Sequence, residues 1–276
     1  MKKRLIVAAI GLPILFTLFM VAPPVGTYIG VLIISVLAAY EFMRVIAVKS
    51  SINMRTFTML SAAALPAITY HCYGMPVREY FVCGTAVLFV SGIFADAIRR
   101  YDQGNPLYMG ELFGSLFAGV MIPWFLSTMI NVRMTRYGYL YVVLPFFISM
   151  SSDTGGYFFG KFFGNQKAFP EVSPNKTVAG CVGGILSALI GAMLFGLMAY
   201  LLEGIRFNAF ALIICGAIGS FASQLGDLAF SLIKRQCRVK DYGYILPGHG
   251  GVLDRFDSVI FSAPIIFMSA ELFQIL

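Results

Sequence analysis

The chain has 276 residues, of which 59% are hydrophobic and 12% charged, and it carries a formal net charge of +7. A soluble globule has about a quarter charged residues, so this composition excludes one and points to apolar spans of the ~20 residues that a bilayer-crossing helix needs. The excess cations suit cytoplasmic loops better than nucleic acid, and five scattered cysteines without a Cys-x-x-Cys argue against a disulfide framework or a zinc site. With only His71 and His249 present, a histidine-based metal cluster is excluded within one chain.

At the N-terminus, Lys2-Lys3-Arg4 precede an apolar run from Leu5 to Ala22. The run is long for a signal-peptide core, and Pro23-Pro24 stand where a small-residue cleavage site would be, so a retained first helix is expected. Further apolar spans fall at residues 26–46, 57–73, 80–97, 112–131, 138–152, 178–202, 207–226 and 257–275. The expected fold is an all-α polytopic membrane protein of about nine transmembrane helices, forming one integral-membrane domain over residues 1–276. If the N-terminus is cytoplasmic, every Lys and Arg except Arg78, Arg133, Arg136 and Arg206 falls on the cytoplasmic side. That bias fixes the orientation and places the C-terminus outside. No internal repeat is visible, which counts against an inverted-repeat transporter.

Two segments, about 151–180 and 223–257, hold most of the polar residues and are expected to form a site at the cytoplasmic interface. In the first, Gly155, Gly160 and Lys161 have P-loop spacing, but Phe162 replaces the metal-binding hydroxyl and no strand precedes, so a P-loop is rejected. Asp153 ends an apolar span, either as an interfacial cap or as a substrate-site residue. Ser173, Lys176 and Thr177 precede a span and could hold phosphate through hydroxyls, an ammonium and a helix N-terminus. In the second segment, Ser223, Asp227, Ser231 and Lys234 recur on one helical face. Asp227 at membrane depth is expensive unless paired, either with Lys234 or through a metal shared with Asp254. Lys234, Arg235, Arg238, Lys240 and Arg255 gather with Asp241, Asp254 and Asp257 around His249, while Gly248, Gly250 and Gly251 admit close backbone approach.

The run Ser231-x-x-Lys234-Arg235, then Lys240-Asp241-x-Gly243, then Leu246-Pro247-x-His249-Gly250-Gly251-x-x-Asp254-Arg255-x-Asp257 resembles the signature of phosphatidate cytidylyltransferases. It covers about a tenth of the chain. The Ser173-Pro174-x-Lys176-Thr177 element and the Asp153-to-Tyr157 element are similar to that family too. Ala179 departs from it, standing where the family usually has glutamate; Glu171 is the nearby acid that could substitute. The resemblance implies cytidylyl transfer from CTP to phosphatidate in a bacterial inner membrane, with the active site facing the cytoplasm. It implies Asp227, Lys234, Asp254 and Asp257 as catalytic residues, with Mg²⁺ on Asp227 and Asp254 and room for a second cation. Substrate contacts are implied for Asp153, Ser173, Lys176, Thr177, Ser231, Arg235, Lys240, Asp241, His249, Gly250, Gly251 and Arg255. His249 is expected to donate to phosphate or organise the loop rather than act as a base. The implied partners are CTP, phosphatidate and the bilayer, with no nucleic acid, and a homodimer is compatible with this plan. The rivals are a CTP-dependent polyprenol-type lipid kinase and, further off, a transporter.

Overall fold

A computed structural model of the chain describes residues 9, 11, 13–47, 51–248, 250–273 and 275–276. The expectations on Lys2-Lys3-Arg4, the start of the first apolar run, Lys49 and His249 fall outside those residues. Eight long helices carry the described fold: α1 (Pro24–Ile46), α2 (Ile52–His71), α3 (Arg78–Asp102), α4 (Met109–Arg133), α5 (Leu144–Phe163), α6 (Val178–Glu203), α7 (Ala209–Gln236) and α8 (Leu253–Phe273). One hairpin, β1 (Lys167–Phe169) with β2 (Ser173–Thr177), pairs antiparallel between α5 and α6. Six of the helices, all but α2 and α5, are long and apolar enough to cross a membrane. The chain is a polytopic membrane protein. The other two are long enough but interleave polar residues through their length, such as Asn53, Arg55 and Thr56 in α2, or Ser151, Ser152 and Asp153 in α5.

Local chemistry explains the helix ends. Pro24 opens α1, where its missing N–H and fixed φ cost nothing. Ser51 caps α2 by accepting from the Met54 amide at 3.0 Å, and Thr177 caps α6 by accepting from Gly180 at 3.0 Å. Asn208 Oδ1 accepts from the Ala211 amide at the start of α7, and Gly204 takes the left-handed turn that ends α6. In α4 the helix widens into a π segment over Phe117–Met121, where Ser61 Oγ donates to the Gly119 carbonyl at 2.8 Å.

The chain divides into two compact units. The first comprises Met1–Asn131 with Cys237–Arg255, the second Val132–Gln236 with Phe256–Leu276. In the first, small residues admit large neighbours: a Cβ on Gly119 would stand 2.5 Å from the Phe89 ring, and one on Gly114 would stand 2.7 Å from Ile46. Asp96 of α3 is buried and accepts from Ser51 and Asn53, tying the start of α2 to α3.

In the second unit, α5 and α6 approach backbone to backbone. Gly156 and Gly160 on one helix, and Gly180 and Gly184 on the other, are spaced four apart on their packing faces. A Cβ on Gly180 would lie 2.8 Å from the Gly156 carbonyl oxygen, and one on Gly160 would lie 3.0 Å from Thr177 Oγ1. Small residues four apart let membrane helices touch this closely, and van der Waals packing then holds them. The P-loop-like glycines are therefore interior positions of α5, which bears out the rejection of a phosphate loop there. Buried hydroxyls add a second layer. Ser223 donates to Ser149 at 3.0 Å, Ser149 meets Ser262 at 3.4 Å, and Ser152 meets Ser220 at 2.8 Å.

Candidate active site

The second unit holds a polar pocket of about 200 Å³ lined by Ser152, Asp153, Tyr157, Asn175, Lys176, Thr177 and Gln224, among others. One of its lining residues is ion-paired: Lys176 Nζ lies 2.6 Å from Asp227 Oδ2, both side chains being half-buried. The β hairpin is what delivers Lys176. Its last strand places that side chain one residue before the Thr177 cap, beside the middle of α7. Asp153, one turn from the close Gly156 contact, lines the same pocket and brings a second negative charge near Asp227. Sequence reasoning left two partners open for Asp227, a metal shared with Asp254 or, for an ion pair, Lys234. The structure assigns the ion pair to Lys176, because α7 carries Lys234 nearly two turns further on, in its last turn. Lys234 and Arg235 instead lie where cations complement the C-terminal end of the helix dipole.

Gln224 belongs to the same pocket and was not singled out from sequence. Its Nε2 donates to Ser152 Oγ at 3.3 Å, to the Cys181 carbonyl at 3.1 Å and to Ser220 Oγ at 3.4 Å. Ser223, Asp227, Ser231 and Lys234 do share the face that periodicity assigned to them. It runs from buried Ser223 to Lys234 in the last turn. Ser173 sits at the start of β2, paired with Phe169, and Glu171 lies in the exposed turn between the strands. Arg235 Nε donates to the Val172 carbonyl in that turn at 3.4 Å. Asp257 is buried, and its Oδ1 accepts from the Ser258 amide at 2.7 Å.

The first unit holds the rest of the motif, and there Asp254 is bound by backbone. Asp254 Oδ2 accepts from the Tyr242 amide at 2.8 Å and from the Gly251 amide at 3.0 Å, so one side chain ties the two ends of the loop together. A Cβ on Gly250 would stand 3.2 Å from Asp254 Oδ2 and 3.3 Å from Asp241 Oδ1, so both carboxylates flank that glycine. Gly248 and Gly250 adopt φ of +80° and +82°, a conformation other residues resist, and a bridge from Leu246 to Gly250 closes the turn between them. Lys240 and Arg255 are exposed at this loop. Among the described residues no group of three or more His, Cys, Asp or Glu side chains gathers as a metal cluster.

One further acid was missed. Glu41 of α1 is fully buried, and its two oxygens accept from the amides of Val252 at 3.1 Å and Leu253 at 2.8 Å, at the start of α8. The signal was present in the sequence: an acid inside an apolar span is conspicuous for the same reason as Asp227.

A model of the cytidylyltransferase family matches residues 2–273. The chain belongs to the cytidylyltransferase family. Within it, the chain is 41% identical over 161 residues to a phosphatidate cytidylyltransferase of Bacillus subtilis, an alignment covering 58% of this chain and 57% of that relative. It is 44% identical over 129 residues to the phosphatidate cytidylyltransferase of Staphylococcus aureus and 43% identical over 129 residues to that of Staphylococcus epidermidis. Those matches cover 47% of this chain and 48% of each relative, so the chain spans about half the length of the curated relatives it matches.

Proposed function

We propose that this family member transfers the cytidylyl group of CTP to phosphatidate, releasing pyrophosphate and leaving CDP-diacylglycerol. The observation that carries the reading is the uninterrupted signature from Ser231 to Asp257, in a chain 41% identical to a relative named for that activity. In the reaction a phosphate oxygen of the lipid attacks the α-phosphorus. The new P–O bond forms as the bond to the β-phosphate oxygen breaks, and pyrophosphate leaves with that electron pair. A lipid phosphate is already anionic near neutral pH, so the chemistry asks for alignment and charge neutralisation rather than a strong base.

The residues suit those tasks. Lys234, Arg235, Lys240 and Arg255 are assigned to neutralise the phosphates, and Ser231, Asp241, Gly250 and Gly251 are assigned to substrate contacts. Ser173, Lys176 and Thr177 are assigned to the nucleotide, with Asp153 in the same pocket. The donor chemistry fits Mg²⁺: carboxylates flank Gly250 in one unit, and Asp153 accompanies Asp227 in the other, all hard oxygen ligands. Asp227 and Asp254 are the residues that would hold it, with Asp257 available for a second cation. When bound, Mg²⁺ supplies neutralisation of the developing phosphate charge. Lys176 would leave Asp227 for a nucleotide phosphate, exchanging one anionic partner for another.

The finer topology is part of the same proposal: nine spans in a bacterial inner membrane, the N-terminus and the segments 151–180 and 223–257 cytoplasmic, and the C-terminus outside. Cysteine labelling in intact cells tests it, since a cysteine at Lys240 should react only from the cytoplasm and one at Leu276 only from outside. The activity itself is tested with purified protein, phosphatidate, Mg²⁺ and CTP labelled at the α or the γ phosphate. Lipid labelled from the α position is expected. Label from the γ position would identify a lipid kinase instead.

A further inference from the structure

The motif loop, Cys237–Val252, is short of partners of its own making: its glycines carry no side chains, and its cations are largely exposed. What the loop packs against is α1. Tyr242, among the largest fully buried side chains, stacks on Phe42 with ring centroids 5.8 Å apart, and Arg44 lies over the Tyr244 ring at 5.7 Å. Glu41, the residue before Phe42, adds a third contact. Its carboxylate meets two consecutive amides at the first turn of α8, where N–H groups have no partner inside the helix. The carboxylate also occupies the space that side chains at two motif positions would need. A Cβ on Gly243 would stand 2.2 Å from Glu41 Oε1, and one on Gly251 would stand 2.3 Å from Glu41 Oε2.

We propose that Glu41 is a positioning residue of the active site: from α1 it clamps the Val252 and Leu253 amides and so sets Asp254, the next residue, in place. This rests on the cytidylyltransferase reading only for what Asp254 is positioned to do. The clamp explains why positions 243 and 251 are glycine: the acid fills what would be their side-chain space. It also gives a loop of glycines and exposed cations fixed points of attachment. Asp254 fastens Tyr242 to Gly251, and Glu41 fastens the following two amides to a membrane helix. A displacement of about 1 Å at a positioned group can cost on the order of 10²-fold in rate.

The test compares the parent with Glu41→Gln and Glu41→Asp in detergent or nanodiscs. In Glu41→Gln the amide offers one acceptor and turns its NH₂ toward the second backbone N–H. Hydrogen exchange in the peptide covering residues 242–254 should accelerate by about tenfold or more, with other peptides unchanged. Turnover should fall by about 10²-fold, with KM for CTP unmoved within about threefold. Glu41→Asp, which keeps the charge but shortens the reach, should fall between. A second pair isolates the steric half of the clamp. Gly251→Ala should cost far more when added to the parent than when added to Glu41→Ala, since the clash is with the removed carboxylate.

Unchanged exchange in 242–254, or acceleration throughout the chain, overturns the clamp. Faster exchange confined to the loop with undiminished turnover overturns the positioning role. If the parent makes no CDP-diacylglycerol, the functional reading fails, while the exchange and Gly251 measurements still decide whether Glu41 holds the loop.

Discussion

Glu41 and Asp254 of the first unit and Asp227 of the second are held in opposite ways. In the first, Glu41 and Asp254 are each bound by two backbone amides, so their positions are fixed by the main chain itself. In the second, Asp227 is held by the ammonium of Lys176, a group on four rotatable methylenes that can turn to another anion without moving any helix. A backbone clamp is suited to geometry that must not change during a reaction. An ion pair between half-buried side chains is suited to charge that must be handed over.

The largest effect should come from breaking the fixed side. Asp254→Asn keeps an oxygen to accept from Tyr242 and Gly251 but removes the charge that a hard cation needs. Insertion and loop exchange should be preserved while activity falls by at least about 10³-fold, the upper range for removing one electrostatic stabiliser. A loss accompanied by a disordered loop would mean that Asp254 serves structure first. Asp227→Asn tests the mobile side, where a comparable loss and a steep rise in the Mg²⁺ needed for residual turnover are expected. The double variant should be little worse than either single one, because residues acting as one unit are not additive. Parental Mg²⁺ dependence in Asp227→Asn would leave that carboxylate as a structural partner of Lys176 alone.

Next in size is Lys234→Gln. Under the proposed topology many other cations would remain on the same side to hold it, so a loss of about 10²-fold with normal insertion is expected if Lys234 meets reacting phosphate. Near-parental turnover would return it to a topological role. The smallest expected effect is Ser149→Ala. It removes a hydroxyl that accepts from Ser223 and lies 3.4 Å from that of Ser262, away from the pocket. A stability loss of about 0.6 kcal/mol is expected, the average for hydrogen bonds between membrane helices, measured by unfolding in mixed micelles. Activity should stay within about twofold on that scale, since turnover depends on groups this helix pairing does not touch.

Much of this was legible in the residues. Apolar run lengths located most of the helices, and the three- and four-residue spacings put Ser223, Asp227, Ser231 and Lys234 on one face before any coordinates. What spacing does not carry is the partner across the fold. Lys176 reaches Asp227 because a five-residue strand and a threonine cap aim it there, and nothing local to either residue announces the match. Glu41 was overlooked for a different reason: it sits two hundred residues upstream of the amides it binds, inside a helix read only as a span. Gly155, Gly156 and Gly160 show the reverse case, in which a phosphate-like pattern is explained by the close approach of α6.

Helix α5 has a consequence for how the protein is made. Its serines, Asp153 and glycines leave it outside the set of helices apolar enough to cross a membrane by themselves, yet it packs along α6 and shares hydroxyl pairs with α7 and α8. All three partners are synthesised after it. At ~5–20 residues per second, α5 leaves the ribosome seconds before the helices whose hydroxyls pair with its serines exist. Its entry into the bilayer is therefore expected to depend on sequence not yet translated. A chain truncated after Phe163 should leave α5 outside the lipid, and one extended through α7 should draw it in.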